Sequence, residues 1–362
     1  MANPLRKKHA RLSSLDFFRG FCILAMIIVN SSGSGAYAFL KHAAWHGWTF
    51  ADTIFPFFLW IIGVSMVFSF AKRMDKGESK GELFLHILQR SAILFMLGLF
   101  INLFPYFDFY SVRIMGVLQR IAIAYFFAGI ILLHARQRGI AIWTVFLLAA
   151  YWAALMLVPV PGYGPGVLEK EGNLAQYVDS VLLKGHILEQ TPAWDPEGIL
   201  STVPAVSTIL FGVLIGQLLV SEKSKPRKFR IMLSLGFLLV IAGSIMSIWM
   251  PINKNLWTSS FSVFMSGLAL IAFSISYWII DMRGAKRWSL PFIMVGMNAI
   301  VLYVISGIMN KIVDAGINKL FYMYALQFMT AQNASLILSL MQAAVIITIA
   351  FAMYRKKFFV KV

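Results

Sequence analysis

The sequence predicts an all-α fold: a polytopic transmembrane helix bundle of about ten spans, with both termini on the cytoplasmic side. Three observations predict it. Of 362 residues, 59% are hydrophobic and only 13% charged, against about 45–50% and roughly 25% in a water-soluble domain. The apolar residues gather into runs near the ~20 residues that cross a hydrocarbon core of ~30 Å. The basic residues fall in short clusters between those runs, in alternate connections. The net charge of +17 therefore reads as a topology signal; nucleic-acid binding calls for a basic face, and none is present.

The spans are expected near 16–31, 50–71, 84–103, 114–134, 138–158, 199–220, 229–250, 257–280, 289–309 and 333–353, within one domain of residues 1–362. The first run lacks a small-residue cleavage site before the polar stretch Ser31 to Gly35, so it is expected to stay in the membrane. One set of connections holds Arg6, Lys7, Lys8 and Arg11, then Lys72, Arg73, Lys76 and Lys80, then Arg136 and Arg138. It continues with Lys223, Lys225, Arg227, Lys228 and Arg230, then Arg283, Lys286 and Arg287, and ends with Arg355, Lys356, Lys357 and Lys361. This set carries 22 of the 32 basic residues and the opposite set seven (Lys41, Arg113, Lys170, Lys184, Lys254, Lys311, Lys319). Positive charge marks the cytoplasmic side of a membrane protein, which assigns the first set and both termini there. The long outer connection 159–198 opens with Gly and Pro, turns acidic, and has room for a short helix near 173–184. No internal repeat is visible.

Polar groups inside a span are costly and mark cavities or bundle interiors. Asn30, Asp52, Arg90, Gln119, Arg120 and Asn298 are such groups, with Arg19 near the inner end of the first helix. Asn30, Asp52, Gln119 and Arg120 fall at outer helix ends, and His42 lies in the outer loop between the first two helices. Imidazole exchanges protons near neutral pH, and a carboxylate at Asp52 would orient it. Alternatively, His42 and His46 are interfacial residues beside Trp45 and Trp48. Asp195-Pro196-Glu197 suits the start of a helix, with Asp195 as cap, or offers two carboxylates to a cationic amine. Trp257 reads as an interfacial anchor and Lys254 as one of few outer cations. Pro56 and Pro204 are expected to kink their helices, and Gly63, Gly98, Gly116, Gly129, Gly212 and Gly216 to permit close packing. The single cysteine, Cys22, admits no intrachain disulfide, and metal-ligand spacings and phosphate loops are absent from the sequence.

Several blocks together carry a family resemblance: RLSSLDFFRG (11–20), IIVN (27–30), HAAWHGWTFADTIFPFFLWIIGVS (42–65), RIMGVLQRIAIAY (113–125), DPEGIL (195–200), PINKNLW (251–257) and MNAIVLYV (297–304). In this order they resemble the heparan-α-glucosaminide N-acetyltransferase family of membrane acetyltransferases. The resemblance implies transfer of an acetyl group from cytosolic acetyl-CoA to the amine of a glucosamine, or a related amino sugar, across the membrane. It implies His42 as the catalytic histidine and Asn30 as the family's membrane-embedded asparagine; Asp52, read above as the partner of His42, completes the catalytic candidates. Candidate donor contacts are Arg19, Arg90, Gln119, Arg120 and Asn298. Candidate acceptor contacts are Asp195, Glu197, Asn253, Lys254 and Trp257. The early position of RLSSLD suits a bacterial inner-membrane member without a preceding luminal domain, and the family suggests a homodimer. A transporter for an amino sugar, or an acyltransferase acting on a hydroxyl of an envelope glycan, shares the helix count and the polar pocket.

Overall fold

The computed structural model describes residues 12–33, 35–191, 194–314 and 316–360. Arg6, Lys7, Lys8, Arg11 and Lys361 lie outside the described residues. Among those described, the chain is helical, with one isolated bridge between Val160 and Gly164. Among the described residues nine helices are long and apolar enough to span a bilayer: α1 (Ser13–Asn30), α2 (Phe50–Asp75), α3 (Lys80–Leu103), α4 (Val117–His134), α5 (Gln137–Leu157), α7 (Thr202–Val220), α8 (Lys225–Met246), α9 (Ser259–Tyr277, extended by a π turn to Met282) and α13 (Ala331–Arg355). The expected short helix in the outer connection is α6 (Leu174–Leu182).

The ninth span departs from the expectation. In place of one helix over 289–309, the chain forms α10 (Leu290–Met297) and α11 (Ala299–Asp314), bent by 87°. Hydropathy is a sum over a window and carries no direction, so it cannot register this break. Its physical cause lies in Gly296 and Asn298. Gly296 lets α10 cross α1 in backbone contact, since a Cβ there would collide with the carbonyl of Asp16. Asn298 spends its side chain on the C-terminal tail, donating to the Phe358 carbonyl at 3.2 Å and accepting from Val360 N–H at 3.0 Å. An amphipathic helix α12 (Ile317–Ala325) follows.

The contacts sort the helix ends onto two faces. The amides of Ser13 and Ser14 donate to the Asp281 carboxylate at 3.1 and 3.0 Å, and Lys225 donates to the Asp281 carbonyl at 2.9 Å. The tail at 358–360 meets Asn298 on this same face, beside the start of α1. The two described ends thus share one face, here the terminal face, together with the Lys- and Arg-rich turns. On the opposite face lie residues 31–49 and the connections after α3, α5 and α8. There Ser335 donates to the Ser32 carbonyl, and Lys311 caps the end of α3 through the carbonyls of Ile101 and Phe104, both at 2.6 Å.

α2 and α7 form the centre of the bundle. Gly63 and Gly212 lie where the two helices cross, and a Cβ at either would meet the carbonyl of Ile209 or Trp60. Backbones approach this closely in membranes because small residues alone leave room for the van der Waals contact that holds helices together. Gly129 instead leaves room for the side chain of Ile87 of α3. Pro56 lies within α2, as expected, but Pro204 is the third residue of α7, in the first turn, where the missing N–H has no helical partner to lose.

Candidate functional site

The site grows from the start of α2. Thr49-Phe50-Ala51-Asp52 is a capping sequence, and the Asp52 carboxylate accepts from the Thr49 amide at 3.0 Å. That local bond turns the carboxylate back over the preceding loop. The same oxygen takes the Ala43 amide at 3.0 Å, and the other oxygen takes His42 Nδ1 at 2.7 Å. Asp52 is 1% exposed and His42 nearly half exposed. A carboxylate accepts, so Nδ1 carries the proton and Nε2 presents its lone pair outward. The ring is thereby oriented by one buried acid and open at its other nitrogen.

A second loop closes over the pair from 200 residues away. Gly47 N–H donates to the Ile252 carbonyl at 2.7 Å, holding 251–257 against 42–49. Lys254 Nζ then lies 3.6 Å from Asp52 Oδ1, 3.1 Å from His42 Nδ1 and 3.2 Å from Nε2, over the ring and off the in-plane lone pair of Nε2. Burial pulls the Lys254 ammonium pKa down, against the pull of Asp52 and Glu197 in the other direction. Asn253 is fully buried; its Oδ1 accepts from Leu256 N–H at 2.9 Å and its Nδ2 lies 3.3 Å from His46 Nδ1.

Trp257 is not an interfacial anchor. It is fully buried, in a left-handed backbone conformation (φ 49°), with its indole N–H donated to Thr208 at 3.2 Å. The Arg120 guanidinium lies over its ring, 5.0 Å from the centroid. Buried Arg120 donates to Ser201 Oγ, while its Nε and Nη1 have no partner among the described residues. An indole face and a hydroxyl take up part of a charge that the membrane does not solvate.

Asp195 and Glu197 do not cap α7, which begins at Thr202 after Ser201. They bind Arg113 instead. Arg113 donates to the Asp195 oxygens at 2.8 and 2.6 Å and to Glu197 at 2.5 Å. Burial opposes the charge on Arg113, yet the two carboxylates outweigh it and push its pKa upward. Burial likewise works to raise the Glu197 pKa, and Arg113, Arg120 and Lys254 together bring it down. Beneath them the Asp179 carboxylate accepts from Ile199 N–H at 3.0 Å, and burial pushes its pKa up to about 6. Arg113, Asp179 and His186, whose Nδ1 bonds the Val112 carbonyl at 2.8 Å, were missed as site residues by sequence reasoning. The available signal was charge count: Arg113 is one of the seven basic residues expected on the side of the acidic 159–198 connection.

The remaining candidates separate. Asn30 ends α1 on the same face as His42, exposed and without a side-chain hydrogen bond among the described residues. Gln119 is buried against Gly98 and Gly116, with Nε2 unpartnered. Arg90 lies over the Tyr125 ring at 4.8 Å. Arg19 pairs with Asp16 near the terminal face, and Asn298 is also there, away from His42. On the terminal face α2, α3, α4 and α7 enclose a cavity of about 970 Å³, walled by Val67, Phe70 and Leu132 and rimmed by Lys80 and Arg136 together with Glu78 and Glu222. No cluster of three or more His, Cys, Asp or Glu suited to a metal occurs among the described residues.

Comparison with known proteins follows this geometry. The family model "Heparan-alpha-glucosaminide N-acetyltransferase, catalytic" matches residues 11–250. The Homo sapiens heparan-alpha-glucosaminide N-acetyltransferase is 31% identical over 406 aligned positions, 97% of this chain and 60% of that protein. The Mus musculus protein of the same name is 29% identical over 411 positions, 99% of this chain and 61% of its own length. The chain thus spans about three fifths of the length of the curated relatives it matches. It belongs to the family of the heparan-alpha-glucosaminide N-acetyltransferase catalytic region, a family of transmembrane N-acetyltransferases.

Proposed function

We propose that this protein transfers the acetyl group of acetyl-CoA to the amine of glucosamine or a related amino sugar on the face that carries His42. The observation that supports it most is the pair Asp52–His42, 2.7 Å apart, with Nε2 left open. An oriented neutral imidazole is the group that takes a proton from an attacking ammonium at neutral pH. The acceptor ammonium loses one proton to Nε2, its nitrogen attacks the acetyl carbonyl and sheds a second proton to water as the amide forms, and the CoA thiol leaves with the proton that His42 returns. A two-step route, through acetyl on Nε2, uses the same geometry. Carboxylates at Asp195 and Glu197 give the acceptor face a negative lining, tempered by Arg113.

The donor enters, on this reading, from the terminal face, which faces the cytoplasm because the Lys- and Arg-rich turns gather there. The cavity of about 970 Å³ has Lys80 and Arg136 at its rim to meet the CoA phosphates, with Glu78, paired to Arg73, and Glu222 on the same rim. From its wall, where Gln217 Oε1 lies, towards the His42 face, the helices that form it carry buried polar atoms without partners among the described residues: Gln217 Oε1, Trp60 Nε1, Tyr125 Oη and Gln119 Nε2. Unpaired buried polar groups are costly, and the amides of a pantetheine arm are of the kind that would satisfy them. A bacterial inner membrane and a homodimeric assembly complete the reading.

Proteoliposomes test it. With labelled acetyl-CoA on the terminal-face side and glucosamine on the other, acetylated sugar accumulates on the sugar side. Movement of unmodified sugar without any acetylation would overturn the reading in favour of transport.

A further inference from the structure

Lys254 stands in an unusual relation to His42. Its Nζ is 3.1 Å from Nδ1 and 3.2 Å from Nε2. In the plane of the ring, a point at these nearly equal distances would press into Cε1. The ammonium therefore lies over the ring face, not on the lone pair of either nitrogen. Nδ1 already has its in-plane partner in Asp52 at 2.7 Å, and the in-plane direction from Nε2 stays clear of Lys254. The lysine is held there: its side chain is 15% exposed, Asp52 lies 3.6 Å away, and its loop is fixed by the Asn253 and Thr258 turn bonds.

This position does not suit an acceptor contact. An amino sugar arrives as an ammonium, and a second ammonium repels it. What the geometry leaves unassigned is a donor for the negative charge that gathers on the carbonyl oxygen during acyl transfer. Asp52 only accepts, and Asn298 is on the other face of the bundle. Gln119 is buried against Gly98 and Gly116. Asn30, though on the His42 face, makes no hydrogen bond to His42 or Asp52 among the described residues. We propose that Lys254 is the oxyanion-stabilising residue, its ammonium standing above His42 where the carbonyl oxygen of an acetyl group beside Nε2 gains charge. The proposal rests on the acetyl-transfer reading above. In the step, the acceptor nitrogen bonds to the acetyl carbon and the carbonyl π pair moves onto oxygen, opposite Nζ. The carbonyl then re-forms, the carbon–sulfur bond breaks, the proton taken by His42 passes to the departing thiolate, and the second proton on the acceptor nitrogen goes to water. Lys254 keeps its protons throughout.

The test uses the full chain with acetyl-CoA and glucosamine, comparing wild type with Lys254→Met and Lys254→Arg. Loss of one oxyanion donor lowers kcat by about 10²–10³-fold, so the methionine variant is expected to lose that much. Its KM for both substrates stays within about threefold, since the lost contact forms only in the transition state. Arginine keeps the charge and stays closer to wild type than methionine does. A raised glucosamine KM with kcat retained would overturn the proposal, making Lys254 an acceptor contact; so would an unchanged kcat. Acetyl-CoA binding by calorimetry reports folding, and if the methionine variant does not fold, Lys254→Gln carries the same comparison. Wild type that acetylates no amine defeats acetyl transfer and this role with it. Wild type that acetylates glucosamine, with an unimpaired methionine variant, defeats only the role of Lys254.

Discussion

Replacing Arg113 by methionine tests the charge cluster that ties the outer loop to the bundle. Arg113 makes three charge-assisted bonds of 2.5–2.8 Å to Asp195 and Glu197, whose side chains are 0% and 10% exposed, while its own is 20% exposed. Removing one partner of a buried pair costs about 3–5 kcal/mol, because the remaining charge stays buried without compensation. The residual exposure of Arg113 places the expected cost at the lower end, about 3 kcal/mol. At 1.36 kcal/mol per factor of ten, that loss makes opening of the loop on the order of a hundredfold more frequent. The amides that depend on the cluster report it directly: Leu188 and Glu197 donate to Asp195, and Ile199 donates to Asp179. Hydrogen exchange over 186–199 should therefore accelerate by about two orders of magnitude in Arg113→Met. The triple variant Arg113→Met, Asp195→Asn, Glu197→Gln removes the stranded charges and should recover part of the protection. Exchange within a few-fold of wild type in the single variant, or a triple variant worse than the single, would refute the reasoning.

Two further outcomes follow from the same geometry. Asp52→Asn keeps the shape but replaces an obligate acceptor beside Nδ1 by an amide, which permits the wrong tautomer; kcat should fall by about 10²–10⁴-fold with acetyl-CoA binding retained, measured by steady-state rates and calorimetry. Asp179 titrates near 6 in the folded protein, above the ~3.9 of an unfolded aspartate. Between those values the folded state holds the extra proton, so stability falls as pH rises through this window and is flat above it. Thermal midpoints should drop between pH 4.5 and pH 6.5 by more in wild type than in Asp179→Asn; equal slopes would remove Asp179 as the cause.

The bundle was legible because its signals are local sums. Apolar runs and alternating clusters of Lys and Arg identify spans without any knowledge of packing, and α6 was expected from the length of the connection that follows a Gly- and Pro-rich turn. The break at Asn298 was not legible, since it depends on Gly296 meeting α1 and on a tail 60 residues onward. The same distinction divides the site. His42 and Asp52 are ten residues apart, and the Thr49–Asp52 cap that aims the carboxylate can be read in the sequence. Lys254 reaches them across 212 residues, and Arg113 finds Asp195 across 82; no local pattern encodes either pairing. Trp257 misled for a related reason: tryptophan near an outer helix end suits the membrane interface, but Arg120 and Thr208 draw this one inward.

The central claim is that His42, oriented by Asp52, carries the proton in acetyl transfer to an amine. The direct measurement supplies purified wild type and His42→Ala with acetyl-labelled CoA and glucosamine, and follows label into the sugar and acetyl-CoA binding in parallel. The account predicts label on the sugar with wild type alone, while the variant still binds acetyl-CoA. Transfer by His42→Ala at the wild-type rate would contradict it.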